Sequence, residues 1–62
     1  MKATIKIEMD NAAFEDGNAG AELARILGEL AAKVSRVEIT PGRGWDLFDV
    51  NGNKVGTFEV TE

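Results

Sequence analysis

The 62-residue chain has no histidine, no cysteine and no tyrosine, and it has a single proline and a single tryptophan. Without histidine it lacks the commonest zinc ligand and the commonest general base. Without cysteine it has neither a disulfide framework nor a thiolate metal site. No apolar run approaches the roughly 20 residues of a membrane span. The N-terminus enters an alternating pattern directly, with no signal-peptide pattern, so the cytoplasm is the default compartment. Between Ile7 and Ala24 there is no Lys or Arg at all. These absences set aside most enzyme classes and leave surface character to explain the chain.

What is present suits one small domain. An apolar share of 44% with 29% charged residues argues against disorder. A domain of this length buries only about 60% of the surface that its unfolded chain exposes. Such a core rarely supplies more than about 3–5 kcal/mol. The net charge of −4 opposes direct contact with a phosphate backbone. Five carboxylates, Glu8, Asp10, Glu15, Asp16 and Glu22, lie in the stretch without cations. The rest of the chain is therefore nearly balanced in charge.

Periodicity predicts an α+β domain in the order β-α-β-β-β. Lys2 to Met9 alternates, with Ala3, Ile5, Ile7 and Met9 pointing inward, as in a half-buried strand. Asp10 to Asn18 reads as a connection, with Phe14 folding back to plug one end of the core. Leu23, Ile26, Leu27, Leu30 and Val34 recur at helical spacing and define one apolar face. Asn18 is the expected N-cap, and Glu22 suits the N-terminal end of the helix dipole. The other face, with Glu22, Arg25, Glu29 and Lys33, is expected to be solvated, with Glu29 and Lys33 forming an i,i+4 pair. Gly28 in mid-helix suggests a close approach to the sheet.

Arg36 to Thr40 alternates as a second strand with Val37 and Ile39 inward, and Pro41 to Gly44 is a turn. Trp45 to Val50 and Lys54 to Thr61 form a hairpin about Asn51-Gly52, a type I′ signal. A two-residue loop there pairs Trp45 with Phe58, Leu47 with Gly56, and Phe48 with Val55. Trp45, Leu47, Phe58 and Val60 then face the core. One helix on one face of a four-stranded sheet is the economical packing, leaving the other sheet face open.

Candidate sites are few. Asp49-Val50-Asn51-Gly52-Asn53 opens like a calcium loop, but Lys54 stands where glycine belongs and Val60 where the bidentate Glu belongs. A hairpin explains the same residues. Gly42-Arg43-Gly44 lacks the following helix start that a phosphate loop needs. Glu15 with Asp16, or Asp46 with Asp49, would need a cleft to become acid–base pairs. No catalytic, cofactor-binding or metal-binding residue is assigned. Two surfaces remain. One is the acidic block, and the other is the open face, where Phe48 and Val55 are paired, with Val50 nearby, and ringed by Asp46, Glu59, Glu8, Lys6 and Glu38. An exposed aromatic beside charges has the composition of a protein–protein contact.

Three runs carry a resemblance: Asp10-Asn11-Ala12-Ala13-Phe14-Glu15-Asp16, Glu22-Leu23-Ala24-Arg25-Ile26-Leu27, and Asp49-x-Asn51-Gly52-Asn53-x-Val55-Gly56. They resemble a family of very short uncharacterised proteins encoded by phages, prophages and other mobile elements of GC-rich bacteria. The match covers most of the chain except Arg36 to Gly44. Proteins of this kind are similar to anti-CRISPR proteins and other inhibitors of host defence. The resemblance implies a phage or mobile-element context, and the chain's lack of His, Cys and a recognisable site adds the expectation of a non-enzymatic, cytoplasmic binder, monomeric or weakly dimeric, with no cofactor. Its partner would be a host protein with a basic nucleic-acid-binding surface, such as a CRISPR–Cas effector complex. Partner contacts would come from Glu8, Asp10, Glu15, Asp16, Glu22, Asp46, Phe48, Val55 and Glu59. The alternative is a small interaction or self-assembly module that uses the open sheet face around Phe48.

Overall fold

A computed structural model describes residues 1–62. Its elements are strand β1 (Lys2–Ile7), a single 3-10 turn (Ala12–Phe14), helix α1 (Ala19–Val34), strand β2 (Gly44–Phe48) and strand β3 (Lys54–Thr61). The three strands form one antiparallel sheet in the order β1-β3-β2. Helix α1 covers one face of it. The architecture is therefore α+β with three strands, not four.

The missing strand is lost to local turn bonding after the helix. Arg36 to Thr40 alternates in sequence but forms no ladder. The outer edges of β1 and β2 are both free, yet the segment pairs with neither. The chain instead leaves the helix through tight backbone bonds, Arg36 N–H to Lys33 O and Val37 N–H to Val34 O. Ile39 still packs against the core. Apolar alternation there records one-sided packing without strand pairing.

The hairpin keeps the expected pairs by a different route. Trp45 opposes Phe58 and Leu47 opposes Gly56, but Phe48 opposes Lys54. The loop is one residue longer than expected. Gly52 N–H donates to Asp49 O and Asp49 N–H donates to Asn53 O. Of these residues only Gly52 has positive φ, at 85°. That is the three-residue loop in which a type I turn is followed by a left-handed glycine, not the type I′ turn that Asn-Gly suggests. The added loop residue shifts the register by one, and a bulge at Val55 shifts it back. Val55 does not pair with Phe48 on the open face. It is buried, only 7% exposed, and belongs to the core cluster.

Parity along the ladders puts Ala3, Ile5, Ile7, Trp45, Leu47, Gly56, Phe58 and Val60 on the inner face. The buried core draws Leu47, Phe58 and Val60 from this face, together with Ile26, Leu30, Val55 and Phe14. Phe14 does plug the core, carried in by the 3-10 turn. Asn11 caps that turn by accepting a hydrogen bond from Ala13 N–H. Gly56 permits the sheet to close, since a Cβ there would run into the Lys6 carbonyl on β1.

The helix is rotated from its expected setting. Glu22, Ile26 and Leu30 form the buried stripe, while Leu27 is 39% exposed. Asn18 occupies the cap position but its side chain makes no capping bond. Gly28 is exposed, and an added Cβ would meet nothing, so it marks no close approach. The face carrying Arg25, Glu29 and Lys33 turns toward β2. Lys33 Nζ stands 4.5 Å over the Trp45 ring instead of pairing with Glu29. Trp45 in turn packs on Phe58 with ring centroids 5.0 Å apart. By helical geometry Leu23, Leu27 and Val34 then flank the stripe on the opposite side, toward β1.

Candidate functional site

The acidic residues divide into two groups with different chemistry. Glu22 is buried, and its carboxylate is fully engaged. Arg25 donates to it from Nε at 2.8 Å and from Nη2 at 3.0 Å, and Val50 N–H donates at 2.8 Å. Arg25 also donates to Phe48 O at 3.1 Å and pairs with Glu29. The Arg25 guanidinium, helped by the Val50 amide, holds Glu22 below its ordinary 4.5 against the opposing pull of burial. The same pairing raises Arg25. Glu22 thus ties α1 to the hairpin and is not available to a partner.

Asp49 is the second buried carboxylate, 4% exposed. It accepts bonds from Asn51 N–H at 2.8 Å, Asn53 N–H at 2.9 Å, Asn53 Nδ2 at 3.2 Å and Asn11 Nδ2 at 2.7 Å. Burial alone would raise its pKa, but the donors from Asn53, Asn11 and Asn51 outweigh it and hold it below 3.8. These bonds explain the apparent calcium loop, because the Asp49 oxygens already serve the chain's own donors. No three of the His, Cys, Asp or Glu side chains are grouped to hold a metal ion. The Asn11–Asp49 bond also fixes the first half of the Asp10 to Asn18 connection against the hairpin.

The exposed group is Glu8, Asp10, Glu15 and Asp16, all in that connection or just before it. None of the four forms an ion pair, since the three salt bridges are Arg25–Glu22, Arg25–Glu29 and Lys54–Asp46. Phe14 anchors the segment from below. Asp16 sits at φ 57°, followed by Gly17 at φ 81°. A non-glycine residue with positive φ is uncommon, and Asp is one of the few that tolerates it. The bend presents Glu15 and Asp16 in a set geometry.

Asp46 is partly neutralised by Lys54 Nζ at 3.3 Å. Glu59 lies exposed on the outer face opposite Thr4. Phe48 is 50% exposed at the end of β2. It lines a shallow groove with Ile26, Leu30, Trp45 and Leu47, walled by Glu29 and Lys33. A second, more polar hollow on the outer face is lined by Lys6, Glu8, Asp10, Asn11, Lys54 and Thr57. The expected site residues are therefore dispersed: Glu8 and Asp10 around the polar hollow, Glu15 and Asp16 on the bend, and Phe48 and Asp46 on the β2 edge. Sequence reasoning missed Asn11 and Asp49 as the pair that braces the connection. The only signal at Asp49 was an Asp-x-Asn-x-Asn spacing that suggested metal, and Asn11 lies outside it.

No helix is long and apolar enough to cross a membrane. No family model, curated protein or solved structure matches the chain.

Proposed function

We propose that the protein is a stoichiometric binding protein of phage or mobile-element type. Its exposed carboxylates would occupy a basic, DNA-reading surface of a host complex, as in inhibition of a CRISPR–Cas effector. The observation that carries this reading is the braced acidic connection. Glu8, Asp10, Glu15 and Asp16 are exposed and unpaired on a segment held by Asn11–Asp49 and by Phe14. Unpaired carboxylates on a fixed backbone carry little ordering cost into a complex, and complementary fields speed encounter. The resemblance to short mobile-element proteins supplies the choice of host defence as the setting.

The test is a titration against a purified CRISPR–Cas surveillance complex at two salt concentrations. Affinity should fall as salt rises, since screening shortens the reach of exposed charges to about 8 Å at physiological ionic strength. The combined change Asp10→Asn, Glu15→Gln and Asp16→Asn should weaken binding and leave the fold intact. A second reading rests on Phe48, which stands half-exposed beside the groove under α1, with Val50 exposed nearby. An aromatic anchor at such a place would be a hot spot for a protein partner. Binding that ignores the triple change but is abolished by Phe48→Ser would replace the first reading with the second.

A further inference from the structure

Strand β1 is the feature that neither reading uses. It is an edge strand, with β3 on one side and no neighbour on the other. Three of the six exposed large apolar residues, Met1, Ile5 and Met9, lie on or beside it at odd positions. Ile5, on the inner face, is 45% exposed, while the nearest backbone approaches of α1 are to β2 and the 3-10 turn. The exposed Leu27 flanks the helix on the β1 side. The molecule thus has an unpaired sheet edge and an uncovered apolar strip in the same place.

The backbone decides how that edge can pair. Glu8 N–H donates to Val55 O. Hydrogen-bonded and non-bonded pairs alternate along an antiparallel ladder, so even residues of β1 bond to β3. The odd residues Ala3, Ile5 and Ile7 then turn their N–H and C=O to the free edge. Antiparallel pairing of two such edges must set odd residues against odd ones. Two registers give the longest overlap of Lys2–Ile7 with itself. The register centred on Thr4 opposes Lys2 of each chain to Lys6 of the other, which places like charges together. The register centred on Ile5 opposes Ile5 to Ile5, Ala3 to Ile7, and Thr4 to Lys6. Just beyond the strand it sets Lys2 against Glu8 and Met1 against Met9. Each exposed apolar residue of the strip then meets another, and each cation meets a carboxylate or a hydroxyl.

We infer that β1 is a homodimer interface, in which two copies pair antiparallel about Ile5 to make a continuous six-stranded sheet with both helices on one face. Lysines on an edge strand often serve to discourage pairing. Here they lie on the outer face and select the register, since only the Ile5-centred arrangement separates them. The inference does not rest on the function proposed above, and it would pair one carboxylate of that reading, Glu8, with Lys2 of the second copy.

The experiment is sedimentation equilibrium over a concentration series, with thermal melts followed by circular dichroism to confirm folding. The parent should move from the 6.7 kDa chain mass to twice that value as concentration rises. Ile5→Lys should remain monomeric at every concentration while keeping a cooperative melt. Lys2→Glu or Glu8→Lys alone should each raise the dimer dissociation constant about tenfold, because two symmetry-related cross-strand pairs turn from opposite to like charge. The double variant Lys2→Glu with Glu8→Lys should return it to near the parent value. A parent that stays monomeric throughout would overturn the inference. So would a double variant no better than the singles, or a dimer lost with Phe48→Ser but kept with Ile5→Lys.

Discussion

The two ends of the sheet are built differently. Around β2, α1 and the hairpin loop, side chains are locked by a polar framework. Arg25 and Glu22 join helix to loop, Asp49 organises the turn, and Lys33, Trp45 and Phe58 stack in sequence. Around β1 there is backbone pairing with β3 and little else, and Ile5 and Met9 remain exposed. A domain with only nine buried residues thus has an uneven share of side-chain locking. Most of it lies at the β2 end, and the β1 end keeps Ile5 and Met9 exposed.

Substitutions at the two ends should differ in cost if the asymmetry is real. The largest effect is expected from Leu30→Ala, which should cost about 2–5 kcal/mol, close to the whole stability of a domain this size. Ile5→Ala, measured at concentrations where the chain is monomeric, should cost much less because Ile5 is half out of the core. Equal losses in chemical denaturation would erase the contrast. Gly52→Val comes next. It forces a β-branched residue to the φ of 85° found there and should cost about 1–3 kcal/mol by denaturant melting. An unchanged midpoint would mean that the hairpin closes through another residue.

The third test uses acid. Glu22 and Asp49 both have lowered folded pKa values, so protons bind the unfolded chain first. Their contribution is therefore complete above the ordinary values of 4.5 and 3.8 and is lost as pH falls through the lower folded values. The melting temperature should hold from neutrality to about pH 5 and then decline, and the Asp49→Asn variant should show a shallower decline. A parent that melts at the same temperature at pH 3 as at pH 7 would remove the polar framework from the account. The smallest effect belongs to the acidic connection. Neutralising Asp10, Glu15 and Asp16 should shift stability by less than about 0.5 kcal/mol per site, as exposed positions usually do. Asn in place of Asp16 also tolerates the left-handed backbone. A large loss would show that these carboxylates support the fold instead of waiting for a partner.

Much of the framework was legible in the sequence, for physical reasons that also explain the failures. The first strand, the helix and the hairpin carry strong periodicity, and Trp45, Leu47, Phe58 and Val60 reach the sheet face expected of them. The segment Arg36 to Thr40 carries the same period-two signal without being a strand, because alternation reports one-sided burial and says nothing about strand pairing. The Asn51-Gly52 signal located the turn but not its length. Asp49 recruits Asn51 and Asn53 and stabilises a longer loop than the dipeptide alone favours. At the site the main error was Glu22. Its place among acidic neighbours suggested surface charge, and only the fold shows Arg25 and the Val50 amide converging on it. Val55 was misplaced for a related reason, since a bulge leaves no mark in a hydrophobicity pattern.

The strand order has a kinetic consequence. The β2–β3 hairpin joins residues close in sequence, whereas the β1–β3 ladder opposes Lys2 to Thr61 across almost the entire chain. Loops that long are closed late, because their entropy must be lost before the contacts they enable can form. The hairpin and helix should therefore organise the transition state, with β1 zipping on afterwards. Substitutions at Leu30 or Phe58 should slow folding, while those at Ile5 should chiefly quicken unfolding. The segment expected to reach its native place last is one of two edge strands, so a refolding chain should pass through a stage when β3 lacks its β1 neighbour. At high concentration a β1 strand from another molecule could fill that vacancy, so exchange of first strands is the misassembly that this strand order would favour.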